Sequence, residues 1–383
     1  MAQLVTASFT ITFLLVNEIE IRGSNPNGLA NPRQFVLSES ALDRLRRAKA
    51  DSTLRAYRGD LRRMLVWAGA EKMIPADLTP TDRGPINDAL NAAAFAALLE
   101  RYGQLHTMAA EYVNHLAEEG KAPSTIDRAL AAVAVAHRSA GAGRLATDAA
   151  RAVLRTYRRD SADDGRKVRK AKPLLVSNLR LMVDTLDLDR LAGLRNRSVL
   201  VLGFALGARR SEIAALDIED LDFNEHGLEV TIRRSKTDKD ATGRKVHVPY
   251  GTNEQTCPVR TTRAWLAALG QRGVAGGALY RRIDKHGELG RAPHGRGSAD
   301  GRITGQAVAI IIQRTALAAG LDAASTFSGH SLRRGFATEA RRAGHDQIRI
   351  GRHGGWKDGS PTLAGYMEDV DRVTSNALTG VGL

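Results

Sequence analysis

The chain has 383 residues, 43% of them hydrophobic, and a formal net charge of +14. That length holds two domains or one large one, the apolar content fills packed cores, and so basic a chain points to a polyanion, most commonly nucleic acid. Its single cysteine, Cys257, excludes an intrachain disulfide framework and a thiolate zinc cluster. An arginine-rich composition from GC-rich coding is the competing source of the same charge.

Residues 1–36 read as a tail. Its apolar run FTITFLLV (9–16) is short, has no basic residue ahead of it and is followed by Glu18 and Glu20, which fits neither a signal peptide nor a membrane span. The Asn, Pro and Gly run at 25–32 reads as loop. Residues 37–159 read as a helical domain. Leu54, Tyr57, Leu61, Leu65 and Ala68 recur at helical spacing, with Asp51 or Ser52 available as a cap. Met108, Tyr112 and Leu116 repeat the pattern up to Gly120. A third helix starts at Pro123, Ser124 and Thr125 and runs to Gly141, and a fourth spans about 146–158. The stretch DSADDGRKVRKAKP (160–173) has five Lys or Arg residues and no apolar period. It predicts a linker, lying along phosphates or simply solvated.

Beyond it, VSNLRLMVDTL and LRNRSVLVLGFALG read as helices, the second buried. Alternating Leu228, Val230 and Ile232, then Val246 and Val248, predict strands over 228–235 and 244–250. The polar KTDKDATG between them makes a β-hairpin with a long basic loop. Helices follow at about 258–270, 304–319, 331–343 and 345–352, and the Gly-rich 290–302 is a loop. The expected fold is mainly α (α+β): a helical N-terminal domain, then a mostly helical domain over 174–383 with a small antiparallel sheet.

Four places in the second half carry chemistry-bearing side chains. In LGARRSEIAAL (206–216), Gly207 can end one helix and Ser211 cap the next, with Arg209 in the connection and Glu212 at the new start. An arginine–glutamate surface pair fits the same residues. Lys236, or else Lys239, stands on the hairpin loop, where an ammonium on a flexible stem can reach a groove or a leaving group. In SGHSLRRGFATEA (328–340), His330 and Arg333 are three apart and so neighbours on a helix face, while Leu332, Phe336 and Ala340 pack the other side. Arginine offers a fork of donors to phosphate oxygens, and histidine a donor or acceptor near neutral pH. A metal role for His330 lacks a carboxylate at metal spacing. In GRHGGWKDGSPTLAGYMED (351–369), Trp356 and Tyr366 are ten apart, and either alone reads as core.

Taken in order, Arg, Glu, Lys, His-x-x-Arg, Trp and Tyr behind a basic helical domain resemble the tyrosine recombinases, and within them the Cre-like simple site-specific recombinases. The resemblance covers about 40–383. STLRAYRGDLRRMLVWA and APSTIDRALAAVAVAHRSAG look like the core-binding domain; GARRSEIAAL, RRSKT, SGHSLRRGFA and GGWKDGSPTLAGY look like the catalytic domain. It implies Tyr366 as the nucleophile, forming a 3′-phosphotyrosyl link, and Arg209 and Arg333 as a clamp on the phosphate. Trp356 would stand where many relatives have His and donate from Nε1. His330 would assist proton removal, Lys236 would protonate the departing 5′-oxygen, and Glu212 would orient Arg209 or His330. The adjacent Arg210 and Arg334 would contact phosphate without catalysis. Trp356 and Tyr366 are one residue further apart than in the Cre pattern.

The resemblance further implies double-stranded DNA with an inverted-repeat site, gripped in a C-shaped clamp, and a homotetramer on two sites acting through a Holliday junction. It implies no metal, no cofactor, no ATP and no membrane, and a cytoplasmic, nucleoid-associated location. The tail 371–383 looks like the segment that docks on a neighbouring subunit. Base readout would fall on helices near 125–138 and 304–318. A type IB-like topoisomerase, a telomere resolvase and an inactive DNA-binding regulator are the rival readings.

Overall fold

The computed structural model describes residues 44, 50–165, 171–234, 243–290, 298–374, 378 and 381, and the chain divides into two compact units, Met1–Arg169 and Lys170–Leu383. The expected tail 1–36, the centre of the expected linker (166–170), Lys236 and Lys239, residues 291–297 of the Gly-rich loop and most of 375–383 lie outside the described residues.

In the first unit the helices are α1 (Asp51–Ala70), α2 (Asp88–Tyr102), α3 (His106–Glu118), α4 (Pro123–Ser139) and α5 (Asp148–Asp163). Their apolar stripes meet in one core that includes Leu65, Phe95, Leu98, Val113, Leu116, Ile126 and Val133. α1 packs on α4, and Asp60, 2% exposed, ties them by accepting from Arg128 Nε and Nη2 at 2.7 and 3.0 Å. The expected caps are not used. α1 is preceded by Ala50 with no side-chain cap, so Asp51 and Ser52 already lie inside the helix. α4 starts on Pro123, whose missing N–H costs nothing in a first turn. α2 is an addition: alanine-rich, it mutes the apolar period, and its start is marked by Asn87, whose side chain accepts from the Leu90 N–H at 3.1 Å. α5 runs to Asp163, so the segment expected to be linker from 160 begins as helix.

The second unit comprises α6 (Val176–Asp184), α7 (Leu191–Ala205), α8 (Arg210–Ala215), β1 (Leu221–Asn224), β2 (Gly227–Ile232), β3 (Arg244–Pro249), α9 (Pro258–Gly270), α10 (Gly305–Ala318), α11 (Gly329–Arg342), α12 (Gln347–Gly354) and α13 (Pro361–Thr374). The strands form one antiparallel sheet in the order β1-β2-β3, with Leu228 opposite Val248 and Val230 opposite Val246. This is the mainly helical architecture with a small antiparallel sheet that the sequence leads one to expect. β1 and α13 are additions to the expected elements. The main core gathers Leu200, Leu202, Ile213, Val230, Val246, Trp265, Ile312 and Leu332. A separate small cluster, Ala337, Ile350, Leu363 and Met367, joins α11, α12 and α13, with Phe336, Trp356 and Tyr366 against its edge. No helix among the described residues is long and apolar enough to cross a membrane.

Candidate active site

α7 ends at Ala205, and Gly207 two residues on has a φ of 53°, which suits a residue without Cβ; a side chain there would strike the Phe336 ring. The chain then turns into α8, where Arg209 rather than Ser211 is the capping residue. The Arg209 backbone N–H donates to Glu212 Oε2 at 3.0 Å and its Nη1 to Glu212 Oε1 at 2.6 Å. The surface-pair alternative fails, because the Glu212 side chain is 2% exposed and that of Arg209 15%.

α11 begins at Gly329, two residues before the expected start, behind Ser328. Ser328 and Ser331 cap it reciprocally: the His330 N–H donates to Ser328 Oγ, and the Ser328 N–H to Ser331 Oγ. His330 is therefore exposed in the first turn. Arg333, one turn on, is 2% exposed, so this helix has no simple polar face set against an apolar one. Its Nη1 donates to the carbonyls of Gly207 (2.5 Å) and Gly354 (2.6 Å), and its guanidinium lies 3.5 Å from the centre of the Trp356 ring. Burial, then the neighbouring charge of Arg209, presses the Arg333 pKa down to about 9, which leaves it charged at neutral pH.

Trp356 and Tyr366 meet edge to face, ring centres 6.1 Å apart at 78°. Tyr366 sits half-buried on α13, and its backbone carbonyl accepts from Thr338 Oγ1 at 3.4 Å. Arg334, expected as a phosphate contact, is instead 7% exposed; its Nη1 donates to the Ala171 carbonyl at 2.9 Å and its guanidinium stands 5.6 Å from the Tyr366 ring centre. Arg210 is exposed and donates to Gln306 Oε1.

Arg244 completes the arrangement, and it was not among the residues picked from the sequence. Its Nη2 donates to the Gly354 carbonyl at 3.2 Å and stands 3.5 Å from Glu212 Oε2. Burial lowers its pKa. The signal was present: on a strand, position 244 is in phase with the buried Val246 and Val248, so an arginine there points inward. One unbroken run of contacts thus links Arg209, Glu212, Arg244, Gly354, Arg333, Trp356 and Tyr366, in which three guanidinium groups are accompanied by a single carboxylate. That excess of buried positive charge, next to a phenol, suits an anion such as a phosphodiester. Among the described residues no group of three or more His, Cys, Asp or Glu side chains is placed to hold a metal ion.

The chain is 30% identical over 346 residues to an integrase/recombinase xerD homolog of Selenomonas ruminantium, covering 89% of each. It is 24% identical to recombinase cre of Escherichia phage P1 over 69% of this chain and 76% of that one. In three dimensions it is similar to a XerH site-specific recombinase, solved bound to a palindromic difH substrate, with a TM-score of 0.51 at 13% identity over 85% of this chain and 95% of that chain, a likeness of fold. Residues 174–372, which hold Arg209, Glu212, Arg244, Arg333, Trp356 and Tyr366, match the phage integrase family. The chain therefore belongs to the phage integrase family and is a tyrosine-type site-specific recombinase.

Proposed function

We propose that the chain recombines double-stranded DNA by forming and resealing a 3′-phosphotyrosyl bond, with Tyr366 as nucleophile. The observation that carries this reading is the contiguous run from Arg209 and Glu212 through Arg244, the Gly354 carbonyl, Arg333 and Trp356 to Tyr366. Tyr366 Oη attacks the scissile phosphorus; the bond from phosphorus to the 5′-oxygen breaks, and the 5′-hydroxyl leaves. A phenol is almost wholly protonated at neutral pH, so its proton must depart during attack, and His330 assists. Lys236 returns a proton to the 5′-oxygen. Arg209 and Arg333, with Trp356 Nε1–H, hold the charge that builds on the non-bridging oxygens. Glu212 fixes the Arg209 fork. The covalent link conserves the phosphodiester, so a partner strand's 5′-hydroxyl reseals it without ATP, metal or cofactor.

The first unit serves as the DNA-binding domain, and α5 presents Arg151, Arg155, Arg158 and Arg159 to solvent, as phosphate contact requires. Four copies act on two inverted-repeat sites through a Holliday junction, in the cytoplasm on the nucleoid, and the tail from 371 docks on a neighbour. A nicked suicide duplex tests the central step. Wild type should accumulate covalent protein–DNA complex and keep doing so in EDTA, while Tyr366→Phe should form none. Covalent complex from the Phe variant equal to wild type would remove Tyr366 from the role.

A further inference from the structure

We infer that Arg244 is a positioning residue that ties the Arg209–Glu212 pair to the Arg333–Gly354 pair, holding the two phosphate-gripping guanidinium groups at one fixed spacing. The inference rests on the function proposed above and adds a residue to it. Arg209 caps α8 and Glu212 lies in its first turn, Arg333 stands on α11 and Gly354 at the end of α12. Arg333 already touches the Gly207 carbonyl, which anchors one side of its guanidinium. Arg244 supplies the second tie. From the start of β3 its Nη2 sits between Glu212 Oε2 and the same Gly354 carbonyl that accepts from Arg333. Glu212 is thereby engaged at both oxygens, Oε1 by Arg209 and Oε2 by the Arg209 backbone and Arg244. One anchor leaves a planar fork free to pivot, two fix it, and displacements of about an ångström are enough to matter to a reacting phosphate.

Three features of Arg244 set it apart from an ordinary strand residue. Val246 and Val248, in phase with it, are buried apolar side chains, and an apolar residue at 244 would satisfy the same face. Instead a cation is buried there, with Nε and Nη1 enclosed and without hydrogen-bond partners, an arrangement that costs stability. The backbone is also shaped around it: Gly355 has φ of 70°, and a Cβ at that position would collide with Arg244 Nε. Enclosure of Nε and Nη1 denies the phosphate a free fork, so Arg244 acts through its neighbours and does not grip the phosphate itself.

The test compares Arg244→Gln and Arg244→Lys with wild type on two suicide duplexes, one with an ordinary scissile phosphodiester and one with an uncharged methylphosphonate at that position. On the ordinary substrate, Arg244→Gln should slow covalent-complex formation about 10- to 100-fold with DNA affinity within about threefold. Arg244→Lys, which keeps a cation but loses the fork, should recover part of the rate. On the methylphosphonate the loss relative to wild type should shrink to about threefold or less, because one fewer charge needs the two aligned guanidinium groups. Equal losses on both substrates would mean a merely structural arginine and overturn the inference, as would wild-type cleavage by either variant. Should the Gln variant fail to fold, Arg244→Lys on the two substrates decides by the same criterion. Tyr366→Phe runs alongside: covalent complex in that variant removes the underlying reading, whereas a silent Phe variant with equal Arg244 losses removes only this one.

Discussion

The arginines and the tyrosine of the candidate site rest on different foundations. Arg209, Glu212, Arg244 and Arg333 stand in or beside elements that also enter the main core, through Ile213, Val246 and Leu332, each at most 3% exposed. Trp356 and Tyr366 lie against the small separate cluster of Ala337, Ile350, Leu363 and Met367. An ion pair between Arg341 Nε and Asp371 Oδ1 at 2.5 Å, partly exposed, adds a further link from α11 to α13. Charge stabilisation works best from groups that need no rearrangement, which a large core provides. In the proposed reaction Tyr366 attacks and is later released, a role that suits a segment that opens at lower cost.

The largest effect should come from the rigid side. Arg333→Ala should lower the rate of covalent-complex formation by about 3–4 kcal/mol, a hundredfold or more, with DNA affinity little changed. It should also leave the carbonyls of Gly207 and Gly354 without this donor, costing about 1–3 kcal/mol of stability for a buried group left unpaired. Single-turnover cleavage and calorimetry measure the two separately. A variant that loses stability but cleaves at the wild-type rate would make Arg333 a structural rivet and dissolve the contrast between the two regions.

That contrast was half legible in the sequence. Strands β2 and β3 announce themselves, because Leu228, Val230, Ile232, Val246 and Val248 alternate with polar residues and one face is buried. β1 is four residues long with only half-buried alternate positions, too little to register as a period. α13 is hidden for another reason: Pro361 and Gly365 both read as breakers, although a proline in a first turn is compatible with helix. The polar residues Arg209, Glu212, Arg333, Trp356 and Tyr366 could be picked out by type and order. The burial of Arg333 could not, since it depends on the carbonyls of Gly207 and Gly354, more than a hundred residues apart in the chain. Arg244 is hidden because the alternation that marks its strand is carried by Val246 and Val248, and a charged residue ahead of them reads as solvent-facing.

A smaller effect should come from the tyrosine's side. Leu363 is 1% exposed in a cluster of four buried side chains. Leu363→Ala should cost about 2–3 kcal/mol, at the low end for such truncations because a small cluster can close over the gap. The cost should be local. Amide exchange along 361–374 should quicken while amides in α7 and α9, under the main core, keep their protection. Uniform acceleration through the second unit would show that the two clusters unfold as one body, and the proposed division of labour would fail.

The smallest effect joins the two regions and is read by pH. His353 lies on α12, stacked on Phe336 with ring centres 4.7 Å apart, and its Nε2 is 2.7 Å from the Ala205 carbonyl at the end of α7. Facing a carbonyl, Nε2 carries the proton and donates it, which leaves Nδ1 bare in the neutral ring. Burial lowers the His353 pKa, the charge of Arg244 pushes the same way, and the Ala205 carbonyl opposes them. The unfolded chain therefore binds the proton more readily than the folded one. The contribution of His353 to stability is fully present above the unfolded value of about 6.5 and is lost as pH falls through it toward the lower folded value. His353→Gln keeps an N–H donor for Ala205 but does not titrate. Between about pH 7.5 and about pH 5.5 its melting temperature should fall less than that of wild type. If both fall equally, His353 is not the group that couples acid to the seam between the arginines and the tyrosine helix, and that seam owes its acid sensitivity to other groups.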